Sequence, residues 1–303
     1  MADLVSTDQR KPKILIWGLK NTRHSHRYIH AGFFANFQQM GYETNWVEDE
    51  LKSREFLKPG TIVLAVNVAS NFLVKKKNVS YVLHNINPIE LELDSNFINL
   101  QVYTSGARGV TLGSDVLKWD SSTKTLFQPW GIPTPKNNWL EFSSGKGMRE
   151  YWVGAIWQNH LGQGNKDAIR EYRAALQSHR LTFSRIGGVR WFTRNGISEK
   201  RNLQLVNKSP LGASIVGTWQ RENEYIPCRF FKNIAAGSAP ISNSDMGSIL
   251  GIQGIYSPNV AEVTEMALSY PLTKASELNR AAKKGIEIYS YKQAIHRILS
   301  CLD

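Results

Sequence analysis

The sequence predicts an α/β protein built from two Rossmann-like, doubly wound domains that face each other across a cleft. Short, nearly all-apolar segments alternate with segments of helical periodicity, which is the pattern of parallel strands covered by helices. The alternation stops once, in the proline- and glycine-rich stretch QPWGIPTPKNNWLEFSSGKG at residues 128–147, and then restarts. The length of 303 residues is about twice that of a common domain. We therefore expect domains at residues 1–140 and 141–303.

The first predicted domain begins with a strand, a loop and a helix. The strand KILIWG ends in Gly18, and the helix spans about residues 25–40, with Phe33, Phe34 and Phe37 on one face. Gly41 ends this helix. The further predicted strands are ETNWVED, TIVLAVNV, VSYVLHNI, INLQVY and Thr125–Phe127. Because they are nearly all apolar, these strands are expected to form one parallel sheet that is buried on both faces.

The second predicted domain repeats this alternation. Its predicted strands are YWVGAIW, LTFSRIG, GASIVGT, SAPIS and residues 254–257. Its predicted helices are residues 166–178, 198–208, the segment that begins at Pro227, 259–270, 276–284 and 291–301. We expect the last helix to pack back on the first domain. In such sheets ligands bind outside the carboxyl ends of the strands.

Composition limits the class of protein. Hydrophobic residues make up 42% of the chain and aromatic residues 11%, which argues against disorder. No apolar run is long enough to cross a bilayer and the amino-terminal sequence lacks the apolar centre of a signal peptide, so we expect a cytoplasmic protein. The two cysteines, Cys228 and Cys301, suit a reducing compartment and neither a disulfide framework nor a metal site.

The formal net charge of +12 predicts an anionic partner. Nucleic acid, anionic lipid and phosphorylated metabolites all fit this charge, and a basic solvated surface fits it equally well. Peripheral contact with a membrane stays open, although no strongly amphipathic anchoring helix is evident.

The segment EYIPCRFFKNIAAG at residues 224–237 has the pattern of an anion site. Pro227 suits the first turn of a helix, and Gly237 suits its end. Arg229 lies on the first turn and Lys232 one turn later on the same face. Backbone N–H groups, the helix dipole and two cations would all favour an anion there, and phosphate is the expected ligand.

Two histidines follow the first predicted strand. His24 and His26 would lie at the carboxyl end of that strand, where an imidazole can serve as a general base for an acceptor hydroxyl. The alternative is that these residues and His30 only hydrogen-bond along the start of the helix. The same loop lacks the glycine spacing of a dinucleotide site.

Further donor-site candidates follow two strands of the second domain. Trp157 and Asn159 precede the run LGQGN, whose small residues would let a diphosphate approach the backbone. Arg185 and Trp191 suit contacts with phosphate and stacking on a nucleobase. A basic loop with aromatic residues is equally typical of binding to single-stranded nucleic acid.

The run RFFKNIAAGSAPIS resembles the donor-binding helix and following strand of GT-B glycosyltransferases. The similarity is closest to the spore-coat CgeB type and looser to the exostosin type. The chain end, IEIYSYKQAIHRILSCL, resembles a terminal element of the CgeB type, with Tyr289, Tyr291 and Arg297 in the corresponding places.

This resemblance implies a glycosyltransferase, either a hexosyl- or a pentosyltransferase. The second domain would bind a nucleotide-sugar donor and the first a glycan or other hydroxyl acceptor, with no metal and no further cofactor. Arg229 and Lys232 would hold the phosphates, Glu224 would take a catalytic role at the donor sugar beside Tyr225, and Ser238 would join the donor site. Many retaining members carry a second glutamate where this chain has Lys232.

Two other functions stay open at this point. One is a basic nucleic-acid-binding protein without catalysis, and the other is a degenerate transferase homologue that binds a sugar nucleotide without turnover. The substitution at Lys232 favours the second of these, because a lysine cannot accept the hydrogen bonds of sugar hydroxyls.

Overall fold

A computed structural model of the chain describes residues 11–21, 26–66, 76–84, 97–102, 118–132, 134–186 and 197–302. The chain divides into two compact units. The first consists of Met1–Leu100, Asp120–Leu126 and Ile295–Asp303, and the second of Gln101–Trp119 and Phe127–Ala294. Both units combine strands and helices, so the expected α/β class is confirmed.

The first unit is built around a seven-stranded sheet with the strand order β2-β1-β3-β4-β5-β7-β6. The neighbouring pairs from β2 through β5 are parallel, as the apolar strand pattern predicts. The strands are β1 Lys13–Trp17, β2 Thr44–Val47, β3 Thr61–Val66, β4 Ser80–His84, β5 Phe97–Gln101, β6 Lys118–Asp120 and β7 Thr125–Phe127. All the strands predicted for this half are present, and β6 is additional.

Among the described residues of the first unit, two helices precede β3. The predicted first helix is α1, His26–Gln39, and it buries Phe33 and Phe37. The second helix, α2 at Glu50–Phe56, is not part of the sequence prediction. It begins after Asp49, whose carboxylate accepts a hydrogen bond from the backbone N–H of Lys52 at 3.0 Å, so this aspartate acts as a helix N-cap.

The second unit contains two parallel pairs of strands. The pairs are β8 Arg149–Val153 with β9 Thr182–Ile186, and β10 Ile241–Ser242 with β11 Ile255–Tyr256. The helices after β7 are α3 Lys166–Ser178, α4 Glu199–Lys208, α5 Thr218–Glu222, α6 Cys228–Ala235, α7 Met246–Ile249, α8 Val260–Ser269, α9 Leu272–Ile286 and α10 Tyr291–Ser300. Helix α3 packs against α8, whereas α6 packs against α4 and α9.

The predicted strand GASIVGT forms only a single parallel bridge, between Ser214 and Ser242. A side chain replaces further strand pairing here: Asn243 accepts a hydrogen bond from the Val216 N–H at 2.8 Å and donates one to the Val216 carbonyl at 2.9 Å. The segment is nonetheless buried in the core of the unit, together with Trp152. It is therefore a buried segment of the core that does not form a regular strand.

None of the helices in the described parts of the chain is long and apolar enough to cross a membrane.

Candidate functional site

Helix α6 organises the candidate site in the second unit. Pro227 is its N-cap, and the first helical residue is Cys228, one position later than the sequence suggests. The apolar face predicted for this helix is buried, with Phe231 and Ile234 fully covered. Gly237 follows the helix with φ +86°, a conformation that favours glycine and ends the helix where predicted.

Arg229 lies against the carboxyl end of β8. Its Nε and Nη2 groups both donate to the Val153 carbonyl at 3.3 Å, and its Cζ lies 3.7 Å from the centre of the Trp152 ring. Gly154 makes room for this arrangement, because a Cβ there would lie 2.3 Å from Nη2 of Arg229. The guanidinium is thus fixed in place, and its remaining N–H groups bond to none of the described residues.

Burial governs the electrostatics of this arginine. Desolvation lowers the pKa of Arg229 to about 10, and interactions with Cys228 and Tyr225 partly offset that effect. The group stays charged at neutral pH. It is a desolvated cation that forms no ion pair with any carboxylate in the described part of the chain.

Lys232 is a second cation on the same face of α6. It is half-buried, and its ammonium has neither a hydrogen bond nor an ion pair with the residues that the structure describes. Desolvation lowers the pKa of Lys232 to about 8. Interactions with Cys228 and Glu199 raise this pKa, whereas the positive charge of Arg229 lowers it. We refer to Arg229 and Lys232 as the cation pair.

Three residues that the sequence analysis does not place in the donor site lie near the cation pair. Glu199, the first residue of α4, interacts electrostatically with Lys232. The hydroxyl of buried Thr134 donates a hydrogen bond to this glutamate. Burial raises the pKa of Tyr291 well above its usual range, and Cys228, Tyr225 and Glu199 raise it further. The resemblance alone singles out Tyr291, and no sequence signal points to Thr134.

Glu224 and Tyr225 lie between α5 and α6, directly before the cation pair. Glu224 is buried and has φ +53°, an uncommon conformation for a residue with a side chain. Such strain is found most often at functional sites. Tyr225 is half-buried and interacts electrostatically with Arg229 and Tyr291. Tyr225 therefore lies near Arg229, whereas Glu224 is close to the cation pair in sequence and its donor-site role stays a prediction.

Trp157 and Asn159 belong to a loop of defined shape after β8. The side-chain Oδ1 atom of Asn159 accepts hydrogen bonds from the backbone N–H groups of Leu161 and Gln163, both at 3.0 Å, so this side chain organises the turn. The Trp157 side chain is 42% exposed. The loop leads into α3, whose N-cap Asn165 binds the Trp157 N–H at 3.0 Å.

The other predicted donor residues are Arg185, Ser238 and Trp191, and no described hydrogen bond or ion pair joins Arg185 or Ser238 to the cation pair. Arg185 is exposed on β9. Ser238 is fully buried and follows the last turn of α6, so it lies at the opposite end of that helix from Arg229. Trp191 lies outside the described residues.

The predicted base region in the first unit is described only in part. His24 lies outside the described residues, and His26 begins α1 but its side chain is not described. His30 is buried with its Nδ1 atom 3.1 Å from the Gly18 carbonyl, and desolvation lowers its pKa to about 4. Its ring lies 5.8 Å from that of His84, which is buried at the end of β4. His30 is therefore neutral at physiological pH.

A polar pocket of about 310 Å³ lies elsewhere in the second unit. It is formed by the start of α3, the residues around α5 and the start of α8, including Asp167, Arg221 and Asn259. The predicted diphosphate loop LGQGN contributes Gly162 and Gly164 to its lining, whereas neither Arg229 nor Lys232 lines it. The described residues also contain no group of three or more histidine, cysteine or acidic side chains arranged to hold a metal ion.

No family model and no curated protein matches this sequence. Among solved structures, the chain is similar to a UDP-forming α,α-trehalose-phosphate synthase from Burkholderia xenovorans, with a TM-score of 0.50 and 12% identity over 93% of this chain and 86% of that one. It is also similar to an α1,3-fucosyltransferase, with a TM-score of 0.44 and 12% identity over 100% of this chain and 93% of that one. At this identity the first likeness establishes a fold of the GT-B glycosyltransferase kind. The CgeB and exostosin subtypes and the cleft stay predictions.

Proposed function

We propose that this protein is a glycosyltransferase that moves a sugar from a nucleoside-diphosphate sugar to a hydroxyl group of a glycan or another acceptor. One observation carries the proposal: the cation pair is partly desolvated on the first turns of α6, and no described carboxylate neutralises it. Desolvated charges without a partner are costly. A bound diphosphate would supply the missing negative charge.

The same geometry suits the chemistry of the transfer. The acceptor oxygen attacks the anomeric carbon and the bond from that carbon to the diphosphate oxygen breaks, so the bonding electrons leave with the diphosphate. The developing charge is stabilised by the N–H groups of Arg229, the ammonium of Lys232 and the amino end of α6. These groups are held before the ligand arrives, since Arg229 is fixed on Val153 and Trp152.

The remaining roles follow the sequence analysis. Glu224 and Tyr225 would face the donor sugar, and the acceptor hydroxyl would lose its proton to His24 or His26 in the first unit. We propose that the reaction needs no metal and takes place in the cytoplasm, and that the chain is related to the CgeB type. A solved protein with a similar fold is UDP-forming by its name, and a diphosphate site on α6 agrees with such a product.

Replacement of Arg229 tests the proposal. In the Arg229→Ala variant the diphosphate loses a charged donor, and hydrogen bonds to charged groups contribute roughly 1.5–3 kcal/mol. We expect the affinity for UDP or GDP, measured by titration calorimetry, to fall about 10- to 100-fold. Hydrolysis of the corresponding nucleotide sugars would fall below detection.

Arg280→Ala is the matched control, because it removes one positive charge from an exposed position on α9. This variant should bind nucleotides as the wild type does, and circular dichroism should show that both variants are folded. Equal nucleotide affinity in the wild type and the Arg229 variant, or no binding by the wild type across the nucleoside diphosphates, would refute the proposal.

A further inference from the structure

Helices α4 and α6 are neighbours in the second unit. The two helices pack against each other, with Leu203 and Val206 of α4 in one apolar cluster with Ala236. The first residue of α4 interacts electrostatically with Lys232 of α6. The first residue of α4, Glu199, therefore belongs to the surroundings of the cation pair.

The carboxylate of Glu199 is held in place from one side. Its Oε1 atom accepts a hydrogen bond from the hydroxyl of Thr134, a residue 65 positions away in the chain and only 4% exposed. The Thr134 carbonyl in turn accepts a hydrogen bond from the indole N–H of Trp139 at 3.0 Å. The Oε2 atom of Glu199 bonds to none of the residues that the structure describes.

Glu199 does not neutralise the cation pair. No ion pair joins it to Lys232, although its charge acts on Lys232 and Tyr291 from nearby. A carboxylate in this place repels a phosphate group. It is, however, an acceptor-only group, and it forms strong hydrogen bonds with hydroxyl donors.

We propose that Glu199 is a specificity-determining residue of the donor site, at which its Oε2 atom accepts a hydrogen bond from a hydroxyl-rich group attached to the phosphates. The site would then select phosphates that carry a ribose or another sugar over inorganic phosphates. This inference rests on the proposed function, because it requires the diphosphate to lie on the cation pair. It also supplies the hydroxyl acceptor that Lys232 cannot provide.

The test compares two ligands on the same variants. The probes are UDP or GDP, whichever the wild type binds more tightly, and inorganic pyrophosphate, each titrated calorimetrically into the full-length protein. In Glu199→Gln the amide still accepts the hydrogen bond from Thr134 but presents a donor in place of Oε2. We expect the nucleotide affinity to fall about tenfold, while the pyrophosphate affinity stays equal or rises because a repulsive charge is removed.

A second variant and a control sharpen this comparison. Thr134→Val leaves the carboxylate present but without its orienting hydrogen bond, and it should lower the nucleotide affinity less than Glu199→Gln does. Glu222→Gln, at the end of α5, removes an exposed carboxylate outside this site and should change neither affinity. A structural role for Glu199 would change both affinities by the same factor.

The outcomes separate the two proposals. If the Arg229→Ala variant loses both ligands while Glu199→Gln keeps the wild-type ratio of nucleotide to pyrophosphate affinity, the role of Glu199 is wrong and the proposed function stands. If the wild type binds neither ligand, both are wrong.

Discussion

At the scale of single residues, Gly154 controls the position of the most important side chain of the candidate site. It directly follows β8 and has φ +137°, a conformation that L side chains rarely adopt. The Arg229 guanidinium occupies the space that a side chain at residue 154 would need. A glycine at the end of the strand thus lets the cation lie over the Trp152 ring.

Gly154→Ala should therefore weaken donor binding without removing any charged group. The new Cβ displaces Arg229 and adds backbone strain of about 1–3 kcal/mol. We expect the calorimetric dissociation constant for UDP or GDP to rise about tenfold, with a lower melting temperature.

The Gly60→Ala variant is a control that separates the effect of backbone strain from the effect of displacing the Arg229 side chain. Gly60 also has a positive φ, +81°, but a Cβ there would meet nothing within 4 Å. This control should lower the melting temperature and leave nucleotide affinity unchanged. A Gly154 variant with wild-type affinity would show that Arg229 does not need its present position.

At the scale of elements, helix α6 could be predicted from sequence because its signals are local. Pro227, the apolar positions around Phe231 and the final Gly237 all lie within one short segment. Strands such as β1 and β3 of the first unit could be predicted for the same reason, since they are short apolar runs.

Two features that the sequence does not predict depend on partners far away in the chain. Val216 lies in a predicted strand, but its backbone groups bond to the side chain of Asn243. The place of Glu199 in the site depends on Thr134, which lies in the proline-rich connecting stretch. No periodicity or spacing encodes such pairs, because they exist only after the chain has folded.

The carboxyl end of α6 offers an element-scale prediction. Asn279 of α9 is buried, and its Nδ2 group donates to the Ile234 carbonyl at 2.9 Å and the Ser238 carbonyl at 2.6 Å. Asn279→Ala leaves these two acceptors without this donor, at a cost of about 1–3 kcal/mol. We expect a lower free energy of unfolding in urea.

Arg229 lies on the first turn of α6, away from this cap, so nucleotide affinity below the unfolding transition should not change. Glu277→Ala, at an exposed position of the same helix α9, is the control and should unfold as the wild type does. Equal stability of the Asn279 and Glu277 variants would show that this cap does not hold the end of α6.

At the scale of the whole molecule, all the residues that form the candidate donor site belong to the second unit. The site therefore follows from contacts within that unit. The net charge of +12 adds a general attraction for anions but does not choose among them. Selectivity among anions has to come from individual groups such as Glu199, whose negative charge locally opposes the attraction of the positively charged protein for anions.

The pH dependence of global stability tests a buried carboxylate in the second unit. Glu150 is only 1% exposed and accepts hydrogen bonds from the N–H groups of Leu211 at 3.2 Å and Gly212 at 3.1 Å. Desolvation raises the pKa of Glu150 above 4.5, and these hydrogen bonds and the ammonium of Lys146 offset this only in part. The folded state therefore binds this proton more tightly than the unfolded state does.

The stability that this proton contributes is complete below pH 4.5, the ordinary pKa, and is lost as the pH rises through the raised value in the folded state. Glu150→Gln cannot ionise, and an amide oxygen in the position of Oε2 still accepts from both N–H groups. At pH 8 the variant should melt at a higher temperature than the wild type. Each pKa unit by which the folded state raises the pKa of Glu150 corresponds to about 1.4 kcal/mol of unfolding free energy, and each 1 kcal/mol raises the melting temperature by about 2–4 °C. At pH 4 the two should melt together, and Glu171→Gln, exposed on α3, should follow the wild type at both pH values. A constant difference between Glu150→Gln and the wild type from pH 4 to pH 8 would show that Glu150 ionises as freely in the folded chain as in the unfolded one.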